Sequence, residues 1–590
     1  TNNRKKSMLD TLKLPEEIST LSISELELLA KNIRQKLFEI CDECGGHLAS
    51  NLGAVELTIA LHSILDSPTD KIVWDVSHQT YVHKMLTGRL HQMNTNRKKG
   101  GLSGFAKISE SEHDAFGAGH ASTALSAALG IAHARDLNEE TYSVFSVIGD
   151  ASLSGGMAFE ALNNIEKLKT NFVCILNDND MSISPPVGSI AAYMTRLRTS
   201  WPYTKAKNKF ERVINRIPKI GVPLMRKIEK TVERMRDIVI DFKFGVIFEE
   251  FGFKYLGPID GHNIPQLTAA FKFAKDYHGP IMIHILTVKG KGLQKAEKDP
   301  VKFHGVSPKT KPTSMVQKGA EIKPLTYTQV FGSEIISIAE KNPKIMVITP
   351  AMREGSGLVE YEKKFPHRFF DVGIAEEHAV TFSAGLARAG AKPVLAIYST
   401  FLQRGFDQLI HDICIQKLPV VFALDRAGLV GEDGATHHGV FDYSFLLPIP
   451  NLTVLAPKDG AELRHMLNWA INQTKAVSIR YPKGPIPERE DTTQKPYTDF
   501  VPAECLFSSP SDSYDVCLIG AGSMSWPAYT VAKQLHDKGI KVAAINLRCI
   551  KPLDVAFINS YIQKSTHVFI LEEGNPIGGV FSHVLHSISV

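Results

Sequence analysis

No stretch of this 590-residue chain approaches the roughly 18 consecutive apolar residues of a membrane-spanning helix, so no membrane partner is expected. Cysteine is scarce: seven residues, scattered and odd in number, argue for a reducing compartment and against a disulfide framework. Cys41 and Cys44 form a CxxC, but no second CxxC or Cys/His pair follows at finger-like spacing. They are therefore read as residues on a helix face, not as zinc ligands. Gly520-Ala521-Gly522 lacks the third glycine of the dinucleotide fingerprint, which argues against NAD there. The opening TNNRKKSMLDTL lacks the apolar core of a secretory signal. It also lacks an initiator Met, so the chain is expected to begin after a processed or removed segment. The expected compartment is a bacterial cytoplasm, with a plastid-type organelle as the alternative. Net charge is only +5, concentrated in Arg196–Arg236, where 13 basic side chains meet three acidic ones. Only Trp201, Tyr203 and Phe210 interleave with them, so the run reads as a solvated excursion and no nucleic-acid partner is expected.

What is present is an ordinary globular composition, 43% apolar and 22% charged, in a chain too long for one core. Apolar strands alternate with helical periodicity, which predicts an α/β protein of three domains. The first is expected over 1–315, interrupted by a polar, basic insertion at about 185–243, and ends in a Pro/Lys/Thr-rich linker. The second is expected over 320–490 and a smaller α/β domain over 500–590. That last domain reads as incomplete, because the chain stops at Val590 within a helical pattern.

The stretch 142–184 is the most informative. Tyr142–Ile148 reads as a buried strand running into Gly149-Asp150, Met157–Leu168 as a helix, and Phe172–Leu176 as a second strand delivering Asn177-Asp178-Asn179. In a parallel β-α-β unit the two strand tips lie side by side, which would bring Asp150 and Asn179 to one cation. A carboxylate and an amide oxygen suit Mg²⁺ or Ca²⁺, and Mg²⁺ commonly takes few protein ligands plus phosphate oxygens. The plain alternative is a turn or helix-cap role for each residue. Gly117-Ala118-Gly119-His120-Ala121-Ser122 precedes a helix predicted over Thr123–Ala134, where small residues and free N–H groups favour phosphate. His47 and His78 fall where elements give way to loops, the ligand-bearing positions of open α/β sheets. The α/β alternation resumes with Val246–Phe251 and Phe253–Tyr255. In the second domain Glu376 opens a helix, and the loop Gly428–Gly439 packs Glu432, Asp433, His437 and His438 into one connection.

The Gly-Asp … Asn-Asp-Asn spacing resembles the thiamine-diphosphate signature, except that Ala151 replaces the second Gly of Gly-Asp-Gly. An Ala there requires an ordinary backbone. SHQTYVHK, GAGHAS, VIGDASLSGGMAFEA, NDNDMSIS, EKDPVKFHGV, IAEEHAV, IYSTFLQR, LDRAGLVGEDGATHHG and IRYPKG extend the likeness over nearly the whole chain. Together they resemble the 1-deoxy-D-xylulose-5-phosphate synthase family, thiamine-diphosphate enzymes related to transketolase. The resemblance implies two thiamine-diphosphate-binding parallel-sheet domains followed by a transketolase C-terminal-like domain. It further implies a homodimer whose active site lies between the first two domains of one chain. The implied reaction joins pyruvate to D-glyceraldehyde 3-phosphate with loss of CO₂, feeding isoprenoid, thiamine and pyridoxal synthesis.

Carried onto this sequence, the family pattern implies Asp150, Asn179 and the carbonyl of Met181 as Mg²⁺ ligands. Gly119, His120, Ala121, Ala151 and Ser152 would line the diphosphate, with His78 beside the cofactor. Glu376 would face the aminopyrimidine ring and promote the tautomer that removes the thiazolium C2 proton, and Phe401 would stack on that ring. His47, His78, His304 and His437 would exchange protons near the reacting atoms. Tyr398, Arg404, Arg426, Asp433 and Arg480 would take the phosphorylated acceptor, since guanidinium forks match phosphate. Leu293 stands where the family often has a Tyr near the cofactor. Transketolase-like ketol transfer and the first component of pyruvate dehydrogenase are the rival activities. A catalytically silent cofactor-binding scaffold is the rival of another class, against which Glu376 and the four histidines argue.

Overall fold

The computed structural model describes residues 8–168, 170–179, 181, 187–199, 246–309, 324–487 and 501–589. The basic run lies outside them except at its start, where a helix covers Ser189–Thr199. The chain divides into two compact units, Thr1–Met315 and Val316–Val590. Among the described residues no helix is long and apolar enough to cross a membrane.

The first unit is built on five parallel strands in the order β1-β2-β3-β5-β4: Lys71–Trp74, Val144–Gly149, Phe172–Asp178, Lys254–Asp260 and Pro280–Leu286, numbered β1 to β5 in chain order. These strands are apolar almost throughout because both faces are covered. Alternation along β2 sends Val144 and Ile148 into one core and Phe145 and Val147 into the other. Helix α1 (Ile23–Cys44) starts at a capping box, with Ser22 accepting from the Glu25 amide and Glu25 from the Ser22 amide. Cys41 and Cys44 lie buried near its end, as a helix-face reading requires. Helices α2 (Leu48–Gly53) and α3 (Val55–His62) follow, then α4 (Ala124–Leu137), α5 (Asp150–Leu153), α6 (Gly156–Leu168) and α7 (Ile264–Lys275). Where the alternation resumes, Val246–Glu250 is helical and Phe253–Tyr255 leads into β4.

The second unit holds two sheets. Strands β6 to β11 (Ile345–Thr349, Phe369–Asp371, Lys392–Tyr398, Val421–Ala427, Leu452–Leu455, Ala476–Pro482) are parallel, in the order β10-β11-β9-β8-β6-β7. A smaller sheet is ordered β12-β14-β13-β16, from Ala503–Ser508, Val542–Leu547, Tyr514–Ala521 and Ser565–Leu571. Between β14 and β16 the chain lends β15 (Cys549–Lys551) to the larger sheet, antiparallel to β10. No local pattern announces that loan.

A buried charge cluster accompanies it. The unit also carries helices α8 (Tyr327–Lys341), α9 (Glu376–Arg388) and α10 (Gly460–Ala470), and Glu462, wholly buried near the start of α10, receives Lys458 Nζ at 2.6 Å and Arg548 Nε at 2.5 Å on one oxygen. Asn546 donates to the same oxygen at 2.8 Å. Burial alone would raise this carboxyl, but Lys458 and Arg548 together hold it below the usual range. Because Lys458 and Arg548 come from different sheets' connections, the carboxylate ties the two sheets. Glu462→Ala leaves the buried Lys458 and Arg548 sharing the partly exposed Glu504, which bonds both, and we expect the second unit to lose about 3 kcal/mol. Urea unfolding checks this: the midpoint falls at unchanged slope, whereas a midpoint within error of the parent removes the cluster from the stability of the unit.

Candidate active site

Strands β2 and β3 pair in parallel with Gly149 opposite Asn177, so the residues following both tips emerge together. Gly149 caps α5 in extended conformation and Asp150 is its first residue, which places Ala151 in a helical turn. Ala there needs no left-handed backbone, and the missing glycine carries no geometric cost. The three residues of Asn177-Asp178-Asn179 have separate fates. Asn177 Oδ1 accepts from the Thr287 hydroxyl at 2.6 Å, and Asp178 Oδ2 accepts from His284 Nε2 at 2.9 Å, with Tyr255 bonded to the other ring nitrogen at 2.7 Å. Only Asn179 Oδ1 is buried without a hydrogen-bond partner among the described residues. A buried amide oxygen left so is costly unless a cation meets it.

Asn179, Met181 and Lys289 line one cavity of about 620 Å³. Burial lowers the Lys289 ammonium to about 8, against the pull of Asp150. Asp150 and Lys289 are thus within electrostatic reach of each other at the strand tips. Among the described residues no three His, Cys, Asp or Glu side chains converge as a metal cage. The donor set of one carboxylate, one amide oxygen and a backbone carbonyl fits a hard cation that draws its other ligands from phosphate.

The turn Gly117–Ser122 departs from the sequence expectation in one respect. The N–H groups of Ser122 and Ala124 at the start of α4 are not free: they donate to the two oxygens of buried Asp75, at 2.9 and 3.1 Å. The helix start is capped from β1, so Gly119, His120 and Ala121 are what remains of this turn's expected contacts to a diphosphate. Ser122, left-handed at φ 71°, donates its hydroxyl to the Ser152 carbonyl at 2.7 Å. That bond joins the Gly119–Ala121 turn to Ala151-Ser152.

Three of the four expected histidines meet in the first unit. The rings of His47 and His78 are 5.4 Å apart, His78 and His304 5.4 Å, and His47 and His304 5.8 Å. His47 and His304 are brought together by a paired bridge between Gly46 and Val306. Gly46 is required there: its φ is 129°, and a Cβ would fall 2.5 Å from the Tyr81 hydroxyl. Asn51, which sequence reading passes over, donates to the carbonyls of both His47 and His78 at 2.8 Å and accepts from the Tyr81 amide. Val76 and Ser77 are both left-handed just before His78, strain of the order of 1–3 kcal/mol each. Phe105 packs on the His47 ring. Leu293 turns its side chain to the apolar cluster around α1 and α2.

In the second unit Glu376 begins α9 and is 5% exposed. Burial pushes its carboxyl up to about 6, opposed by the Arg404 guanidinium 4.0 Å away. Its Oε2 is buried without a hydrogen-bond partner among the described residues. Phe401 stacks on Tyr398, with centroids 5.4 Å apart, and meets His437 edge-on at 5.7 Å. Arg426, left-handed at φ 60°, lies over the Tyr398 ring and bonds Asp425, Thr328 and the Gly355 carbonyl. Asp433 lies 3.5 Å from Lys483. Arg480 is 4% exposed, bonded to Asp442 at 2.8 Å and the Glu573 carbonyl at 2.9 Å, and covers Tyr443. Two of its nitrogens therefore serve the fold, which weakens its expected part in holding phosphate.

The chain matches the family model described as 1-deoxy-D-xylulose-5-phosphate synthase over residues 9–287, the transketolase pyrimidine-binding domain over 323–488 and the transketolase C-terminal domain over 509–590. It is 48% identical to the 1-deoxy-D-xylulose-5-phosphate synthase of Natranaerobius thermophilus, over 99% of this chain and 91% of that one. With the enzyme of the same name from Halothermothrix orenii it shares 49%, over 99% and 90% of the two chains. The crystal structure of transketolase from Campylobacter jejuni is 17% identical, covers 97% of this chain and 100% of its own, and has a TM-score of 0.39. At 47–49% identity to full-length relatives of one name, the chain belongs to the 1-deoxy-D-xylulose-5-phosphate synthase family, which implies thiamine diphosphate as its cofactor.

Proposed function

We propose that this chain condenses pyruvate with D-glyceraldehyde 3-phosphate, releasing CO₂ and giving 1-deoxy-D-xylulose 5-phosphate, with thiamine diphosphate and Mg²⁺. The observation that carries the reading is that two buried oxygens, Asn179 Oδ1 in the first unit and Glu376 Oε2 in the second, have no hydrogen-bond partner among the described residues, and each is of the type needed at one end of that cofactor. When bound, thiamine diphosphate supplies the electron sink for decarboxylating a 2-oxo acid.

The side chains divide the remaining work. Asp150, Asn179 and the Met181 carbonyl would hold Mg²⁺, and Gly119, His120, Ala121, Ala151 and Ser152 the diphosphate. Glu376, with a carboxyl near 6, takes and returns a proton at Oε2 close to neutral pH. Phe401, braced by Tyr398, offers an apolar face beside it. His47, His78 and His304 offer three imidazoles within 6 Å of one another for proton exchange with bound substrate, and His437 adds a fourth. Arg404, Arg426, Tyr398 and Asp433 suit a phosphorylated aldehyde, with Arg480 behind them as a support. A homodimer and a cytoplasmic location complete this proposal.

Two outcomes are expected. Release of ¹⁴CO₂ from [1-¹⁴C]pyruvate with Mg²⁺ and thiamine diphosphate should rise sharply when D-glyceraldehyde 3-phosphate is added. Release indifferent to the acceptor would remove the synthase reading, and turnover of a ketose phosphate donor would favour a transketolase. Arg404→Met removes the cation that lowers Glu376, so the Glu376 carboxyl should titrate above about 6, later in a rising pH scan. Infrared difference spectra of the carboxyl band check the direction; a midpoint that falls contradicts the pairing.

A further inference from the structure

The loop 288–293 leaves β5 beside the Asn179 cavity and carries Lys289. Two side chains from separate elements grip it, and a third, Glu56, ties those two together. Arg34 on α1 binds Glu56 on α3 with two prongs, NH1 to Oε1 at 2.5 Å and NH2 to Oε2 at 2.7 Å, and gives its Nε to the Lys291 carbonyl at 3.1 Å. Glu56 Oε2 also lies 2.9 Å from Nδ1 of His262, in the turn between β4 and α7. The Val288 amide reaches the far nitrogen of that ring, Nε2, at 2.9 Å. Gly53 lets α2 approach the same loop, since a Cβ there would already touch the Val288 carbonyl at 3.2 Å.

The chemistry of these partners leaves His262 one form. Burial would raise the Glu56 carboxyl, but the hydrogen bonds from His262 and Arg34 bring it to about 2, so it is an anion and can only accept. A backbone N–H can only donate. Nδ1 must therefore carry the proton and Nε2 the lone pair. The opposite tautomer loses both bonds, and the imidazolium sets a second N–H against the Val288 N–H. The other charged group facing the turn is Asp260, which accepts from the His262 amide at 2.9 Å and leaves the ring untouched.

We propose that His262, held in its Nδ1–H tautomer between Glu56 and the Val288 amide, is a positioning residue that latches the 288–292 loop and so sets Lys289 at the metal and diphosphate end of the site. The proposal rests on the reading that this end takes the cofactor. It assigns His262 no contact with substrate: it acts through the loop.

Two substitutions separate the halves of the latch. In His262→Gln the side-chain carbonyl can stand where Nε2 stood and accept from Val288. In His262→Asn the amide can reach Glu56 but not Val288. Hydrogen–deuterium exchange of the full-length protein, read on the peptide covering 288–292, should quicken about tenfold in the Asn variant and stay near the parent in the Gln variant, as expected for loss of one hydrogen bond. The dissociation constant for thiamine diphosphate with Mg²⁺, followed by intrinsic fluorescence, should rise about tenfold in the Asn variant and be largely restored in the Gln variant. ¹⁵N-histidine spectra of the parent should show Nδ1–H at His262. Equal exchange in the two variants, or an Nε2–H signal, overturns the latch. Faster exchange with unchanged cofactor affinity overturns the link from latch to site. A parent that binds no thiamine diphosphate instead overturns the cofactor reading, while the exchange comparison still judges the latch.

Discussion

The parallel pairing of β2 with β3 is the constraint on which the first unit depends. With Gly149 set opposite Asn177, both chains leave the sheet at the same level and on the same edge, and whatever follows must converge. A slip of one residue would exchange the faces of every side chain beyond it, turning Asn179 inward where Asp178 now meets His284. Register is secured by the two apolar cores, which accept Val144 and Ile148 on one side and Phe145 and Val147 on the other. The site therefore inherits its geometry from core packing, and the polar residues at the tips need only be of the right type.

Around those tips, polar groups are fixed by other polar groups rather than by apolar contact. Asp75 caps α4, Ser122 bridges to Ser152, Asn51 pins the backbones of His47 and His78, and Arg34 with Glu56 and His262 holds the loop of Lys289. Each link is short, and all but the one from Asn51 to His47 join residues more than 20 positions apart. Strain at Val76 and Ser77 is tolerated because their neighbours leave no alternative: the Ala106 amide donates to Ser77 Oγ at 2.9 Å, and the Thr80 hydroxyl to the Ser77 carbonyl at 2.6 Å.

Periodicity made the strands and helices of both large sheets legible, because their apolar runs are long and their ends carry Gly, Asp or Asn. The expected convergence of strand tips followed from the same reasoning. Three things were beyond it. The type of the element at Val246–Glu250 is open in the sequence, because five residues are too few for period to tell helix from strand. Strand β15 is three residues long and owes its place to a sheet formed by residues about 100 positions earlier. The capping of α4 by Asp75 joins residues 47 positions apart, and local composition at the Gly117–Ser122 turn gives no sign of it. Motif resemblance named the candidate side chains, but not which of them the fold itself would use. Arg480 shows the difference: its type fits phosphate, while its partners are Asp442, Tyr443 and the Glu573 carbonyl.

Satisfaction of hydrogen bonds separates structural from chemical residues more sharply than residue type does. Within Asn177-Asp178-Asn179 two members are consumed by Thr287 and His284, and the third keeps a buried oxygen with no hydrogen-bond partner among the described residues. Glu462 and Glu376 make the same contrast in the second unit: both are buried carboxyls, yet Lys458 and Arg548 hold the first low, whereas Glu376, with Arg404 only at 4.0 Å, rises to about 6. Keeping Glu376 ionised therefore costs stability, roughly 2 kcal/mol for a rise of about 1.5 units. Since the folded value lies above the unfolded one, that cost is absent below pH 4.5 and complete only above about 6. A carboxyl that changes its protonation near neutral pH at so small an expense is suited to passing a proton, and a paired one is not.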